Sequence, residues 1–203
     1  MRLPSRWRRH RLAMVMGVAV TLVTLLAALA AVGSLDGRGV LAAARAQLML
    51  MAAVVPIVAW PARTRLDVLF RAGPTTDTFA VVVLAVAALS PDVTIWQALG
   101  AYVLIAAVAL AGMGLLASCR AAGLGPVPAA CAAFVLLAAG AAGVLVSPPA
   151  KVNVDLALQD LLGLNRSAPG WLTTFLIVAA AAGMAWAGGY LAERARTAPG
   201  DFC

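Results

Sequence analysis

Histidine and lysine are almost missing from this 203-residue chain, which has one of each, His10 and Lys151. With a single imidazole, no histidine pair can hold a haem inside a helix bundle, and a His-based metal site has no ligands. A serine nucleophile would lack its base. Lys151 follows no Gly-rich loop, so there is no P-loop for nucleotide phosphates. Charge of either sign is absent from six apolar stretches, at about 12–33, 46–60, 78–90, 97–118, 127–146 and 170–191. Spans without carboxylates offer no proton relay and no aspartyl chemistry. Cysteine is scarce too. No two of Cys119, Cys131 and Cys203 are expected to meet on an outer face, so no disulfide is expected. The sequence offers no catalytic residue, metal site or cofactor, and the expectation is that the chain is not an enzyme.

What remains is apolar. The chain is 64% hydrophobic with a mean hydropathy of +0.98, whereas soluble domains sit near roughly 45–50% apolar. A spanning helix needs about 20 mostly apolar residues. The expected fold is therefore all-α, a polytopic membrane helix bundle of about six transmembrane helices forming one integral membrane domain over 1–203. Two stretches are short. The second extends backwards through Val40–Ala44 if Arg45 faces a neighbour or snorkels to the interface. The third extends forwards to Trp96 at the cost of a break at Ser90-Pro91-Asp92. The N-terminal run is longer than the usual ~7–15-residue core of a signal peptide, so it reads as an uncleaved first helix.

Arginine sets the orientation. Arg2, Arg6, Arg8, Arg9 and Arg11 precede the first stretch. Arg63, Arg65 and Arg71 follow the second, Arg120 follows the fourth, and Arg194 and Arg196 follow the sixth. The alternate loops hold only Arg38, Arg45, Lys151 and Arg166. The richer side is cytoplasmic by the positive-inside rule, so both termini are expected in the cytoplasm. Trp60, Trp96 and Trp171 fall at stretch ends, where amphipathic rings favour the headgroup level. The net charge of +7 then reflects topology and attraction to the lipid bilayer rather than nucleic acid. The preference for Arg over Lys and the abundance of Ala point to a bacterial chain, and so to the inner membrane.

Three segments carry polar residues. Residues 1–12 are basic, with Trp7 and Pro4, and read equally well as an interfacial helix or a solvated cytoplasmic tail. In 61–77, Pro61 can start a helix and Gly73-Pro74 can end one. Leu66, Leu69 and Phe70 share one helical face, and Arg63, Asp67 and Arg71 share another, with Asp67 able to pair with either arginine. That is a short amphipathic cytoplasmic helix, suited to docking a partner or simply lying at the interface. In 147–169, Val154, Ala157, Leu158, Leu161 and Leu162 share a broad face, as expected of an outer-face helix dipping into the headgroups or between spans. Within the spans, Thr21, Thr24, Gln47, Tyr102, Thr173 and Thr174 are the few polar groups, with Gln97 at the start of the fourth. Hydrogen bonding between helices or back to the preceding turn is the expected role for them.

Residues 96–146 resemble a known family. Gly100-Ala-Tyr-Val-Leu, then Ala111-Gly-Met-Gly-Leu-Leu-Ala-Ser118, then Pro128-Ala-Ala-Cys-Ala-Ala-Phe134 and an apolar run ending at Ser147-Pro148 are similar to the fourth and fifth spans of type-2 ABC transporter permeases. The nearest group is that of the gliding-motility and copper-enzyme-maturation exporters. Leu66-Asp-Val-Leu-Phe-Arg-Ala-Gly-Pro74 is loosely similar to that family's Leu-rich segment after the second span, although the acidic residues usually ahead of it are absent. The resemblance implies six spans and a cytoplasmic coupling helix between spans two and three. It also implies a separate ATP-binding subunit, and a second membrane subunit, identical or not, to complete the pump. The residues expected to touch the ATPase are Leu66, Asp67, Leu69, Phe70 and Arg71. The alternative is a non-catalytic accessory or assembly subunit of a larger membrane complex.

Overall fold

The computed structural model describes residues 36–59, 62, 64–141, 153–165 and 170–197, together with Leu22 and Leu26 singly. The expected first span and the basic segment 1–12 lie outside the described residues, apart from those two leucines. Six helices run through the rest: α1 (Gly37–Ala59), α2 (Arg65–Leu89), α3 (Ile95–Ala121), α4 (Pro126–Ala141), α5 (Val154–Leu161) and α6 (Trp171–Thr197). The described part is all-helical, without a strand. Four helices, α1, α2, α3 and α6, are long and apolar enough to cross a membrane, and the chain is a membrane protein on that ground.

Helix starts follow from local chemistry. The Asp36 carboxylate accepts from the amides of Arg38 and Gly39 at 3.0 and 3.1 Å and opens α1. Thr64 caps α2 through Asp67 N. Thr94 and Gln97 form a reciprocal capping box on α3. Asn153 caps α5 through Leu156 N at 3.0 Å. Such caps satisfy amides left open in the first turn, each worth about 1 kcal/mol. Two ends turn through left-handed glycines. Gly123, at φ +91°, follows α3 and lets Leu124 N reach Cys119 O, and Gly163, at φ +71°, does the same after α5 for Leu164 N and Gln159 O.

Two span boundaries differ from the sequence reading. The second stretch does extend backwards, to Gly37, and Arg45 does face a neighbour. The third does not extend forwards. The chain turns at Ser90-Pro91-Asp92, and the helix grows backwards to Arg65, straight through Gly73-Pro74. The amphipathic segment and the span are one 25-residue helix. Pro74 leaves one carbonyl, Phe70 O, without its helical donor, and the helix continues across that single missing bond. Thr76 Oγ1 donates to Gly73 O and Thr78 Oγ1 to Pro74 O, each at 2.7 Å. The fifth stretch appears as α4 up to Ala141, its remainder lying outside the described residues.

Helix α3 lies at the centre, packed against α6, α2 and α4, while α1 packs against α4 and α2. Small residues allow the close approach. Gly114 faces the Trp186 indole and Ala185, Ser118 Oγ donates to Ala185 O, and Trp186 Nε1 donates to Leu110 O at 3.1 Å. Helix α5 lies across the end where α1, α3 and α6 begin. Its Val154, Ala157, Leu158 and Leu161 are buried, as the pattern predicted, with Leu161 against Gly100.

Candidate functional site

The first two turns of α2 hold the residues expected to meet a partner. They stand at the end of the bundle where α1 and α3 finish. Arg65 fixes this end. Its backbone amide and its Nε each donate to the Glu193 carboxylate of α6 at 2.7 Å, and its guanidinium lies 4.8 Å from the centre of the Tyr190 ring. An ion pair and a cation–π contact together set the position of α2 against α6. Arg120 at the end of α3 donates to Ala62 O at 3.3 Å and ties in the preceding loop.

On that frame the five expected contact residues separate into three kinds. Leu66 and Phe70, one turn apart, are 62% and 75% exposed. Asp67 and Arg71 close an i,i+4 ion pair at 2.6 Å beside them. Leu69 turns inwards and packs against the core. Val68, between them in sequence, is buried and seats the helix. The outward surface is thus two large apolar side chains flanked by a self-neutralised pair. Arg65 was not among the expected contacts. Glu193 is the chain's single glutamate, but its pairing with a residue 128 positions away has no local signature.

A second polar group lies deeper. Asp77 belonged to a loop in the sequence reading, yet it stands at the middle of α2, with its carboxylate accepting from Tyr102 Oη of α3 at 2.8 Å. The absence of carboxylates from the spans therefore does not hold for α2. On α1, Gln47 is fully buried, and neither atom of its amide has a hydrogen-bond partner among the described residues. The sequence reading expected a hydrogen bond there. Tyr102, by contrast, makes one.

At the opposite end, Arg45 of α1 donates through Nε and Nη2 to the two oxygens of Asp155 at 2.5 and 2.8 Å. Gln159 Nε2 donates to Asp155 Oδ2 at 2.7 Å. The hydrogen bonds and charge of Arg45 hold the Asp155 carboxyl below the ordinary carboxylate range. Partial burial opposes this and Gln159 reinforces it. Asp160 accepts from Trp171 N at 3.0 Å, so α5 also caps α6.

No protein-family model, curated protein or solved structure matches this chain. The motifs that carry the family resemblance nonetheless have physical roles in this bundle. Gly100 receives Leu161, Tyr102 holds Asp77, Gly114 receives Trp186, and Ser118 bonds α6.

Proposed function

We propose that the chain is the membrane-spanning permease subunit of an ABC-type exporter, working with a separate ATPase. The observation that carries this reading is the pair Leu66 and Phe70, exposed on the first turns of a helix that continues without interruption into a span. An apolar pair at the membrane surface, flanked by the closed Asp67–Arg71 ion pair, suits insertion into an apolar cleft of a soluble partner. Because α2 is one rod, force applied at Phe70 would reach the bilayer interior without passing through a flexible joint. In this reading the bundle has six spans and cytoplasmic termini, sits in the bacterial inner membrane, and pairs with a second membrane subunit. The orientation rests on the arginine count.

A second reading is a non-transporting accessory subunit. It is favoured by the short inventory of buried polar groups among the described residues: Gln47, Thr76, Ser90 and Thr174.

The test is capture of partners by the tagged protein in mild detergent. The expected result is a P-loop ATPase in near-equal amount, lost when Leu66→Asp and Phe70→Asp are combined. Both side chains are exposed, so the variant should keep its thermal unfolding midpoint. Recovery of a respiratory or secretory complex without an ATPase would replace the exporter reading with the accessory one. An ATPase that survives the double substitution would move the contact elsewhere.

A further inference from the structure

Asp77 stands in the wrong place for a structural carboxylate. Helix α2 ends at Leu89, and at about 1.5 Å per residue Asp77 lies roughly 18 Å from that end, near the middle of a hydrocarbon layer about 30 Å thick. It is on the outward face of α2, in line with the exposed Phe70, Pro74 and Val81. On α3, Leu99 and Val103 share a helical face with Tyr102 and are also exposed. Ionisable residues at this depth are rare and mark binding or transport pathways, where an opposite charge is the usual partner. The described residues show none. No Lys or Arg occurs between Arg71 and Arg120, Arg71 is paired with Asp67, and among the described residues no ion pair includes Asp77. Its hydrogen bond comes from Tyr102, a neutral phenol. That bond fixes one carboxylate oxygen, Oδ1, without neutralising the charge.

The adjacent backbone is also unusual. Pro74 removes the amide that would bond Phe70 O, and two threonine hydroxyls bond back to the carbonyls of residues 73 and 74. Asp77 thus lies one turn from a carbonyl, Phe70 O, that has lost its helical donor, within a helix that stays continuous.

We infer that Asp77, oriented by Tyr102, binds a singly charged cationic amphiphile, an amine or onium group on an apolar body, which reaches it sideways from the bilayer between α2 and α3. One carboxylate matches one positive charge. The flanking Val81, Leu99 and Val103 match an apolar body. A bare metal ion fits poorly: hard cations take six or more oxygens, and the described residues contain no group of three His, Cys, Asp or Glu suited to a metal. This inference rests on the transporter reading for the fate of the bound molecule, since it makes that molecule the cargo. Binding itself is independent of any ATPase.

The test uses the full chain in phosphatidylcholine nanodiscs and measures equilibrium binding of tetraphenylphosphonium, a permanent lipophilic cation, with tetraphenylborate as the anionic control. The expected result is saturable binding of the cation only. Asp77→Asn should weaken it by about tenfold or more, the scale of losing one charge partner in a desolvated site. Asp77→Glu should restore most of it, and Tyr102→Phe should weaken it by a smaller factor. The thermal midpoint of each variant separates lost binding from lost folding. Equal binding by wild type and Asp77→Asn would overturn the inference. So would the absence of saturable binding alongside loss of a membrane partner in Asp77→Asn, which would make Asp77 a helix-pairing residue. ATPase capture without cation binding would remove this site and leave the exporter reading intact. Cation binding without ATPase capture would do the reverse.

Discussion

Arg45 and Asp155 are 110 residues apart in sequence and share two parallel hydrogen bonds that join α1 to α5. Side-chain exposure is 48% for Arg45 and 16% for Asp155, so solvent screens the pair in part. Two-pronged geometry and the Gln159 bond place it above an ordinary surface pair, which is worth about 0–1 kcal/mol. Arg45→Leu is expected to cost about 1–2 kcal/mol of stability and to lower the unfolding midpoint in detergent. A midpoint equal to that of wild type would mean that α5 is held by its apolar face alone.

The same pair sets a pH dependence. The Asp155 carboxyl is lowered in the folded state, so the unfolded chain binds the proton more tightly. The stability this contributes is complete above the ordinary carboxylate pKa of about 3.9 and disappears as pH falls through the folded value. Melting curves of wild type and Asp155→Asn should therefore converge on acidification below about pH 4 and stay apart at neutral pH. A gap that persists at low pH would assign the effect to packing.

Gly114 and Gly183 make opposite predictions on facing helices. A Cβ on Gly114 would lie 2.9 Å from Trp186 Cδ1 and 3.1 Å from Ala185 Cβ. The indole cannot retreat without giving up its bond to Leu110 O. Gly114→Ala is expected to cost about 1–3 kcal/mol as α3 and α6 are pushed apart. A Cβ on Gly183 would meet nothing within 4 Å among the described residues, and Gly183→Ala should be neutral or gain up to about 1 kcal/mol from helix propensity. Thermal unfolding of the two variants side by side tests the packing of α6.

Gln47 carries a cost that the fold does not recover. A buried amide with both atoms unpaired among the described residues is penalised by about 1–3 kcal/mol. Gln47→Leu, close in volume, is expected to raise the unfolding midpoint. A lower midpoint would show that the amide is satisfied in the bilayer. A higher midpoint with reduced function would mark Gln47 as a residue kept for activity at the expense of stability.

The outline of the bundle was legible because hydrophobic runs report directly on burial in lipid. The start of α3 at Ile95, beside Trp96, the start of α6 at Trp171 and the shared apolar face of α5 followed from residue type and spacing, and the structure decides for Arg45 the partnered of two alternatives. The course of α2 was not legible. Gly73-Pro74 is a stop signal in water, where freed carbonyls bond solvent and the helix gains little by continuing. In an apolar bundle the other backbone bonds are worth keeping, so the helix runs on past the one carbonyl, Phe70 O, that Pro74 leaves without a donor. Misplacing that boundary also hid Asp77, which reads as a loop residue unless α2 is continuous. Within the candidate contact surface, helical spacing placed Leu66, Leu69 and Phe70 on one face. It could not reveal that α6 anchors Arg65 and rotates Leu69 towards the core.

The Arg45–Asp155 pair also imposes an order on biogenesis. When α1 leaves the ribosome its arginine has no acid to meet, because Asp155 is still 110 residues away. At about 5–20 residues per second, the wait is on the order of 5–20 s. During that interval Arg45 must be held by lipid phosphate, water or the insertion machinery. The bundle is therefore fastened only when α5 arrives and locks the first helices in place.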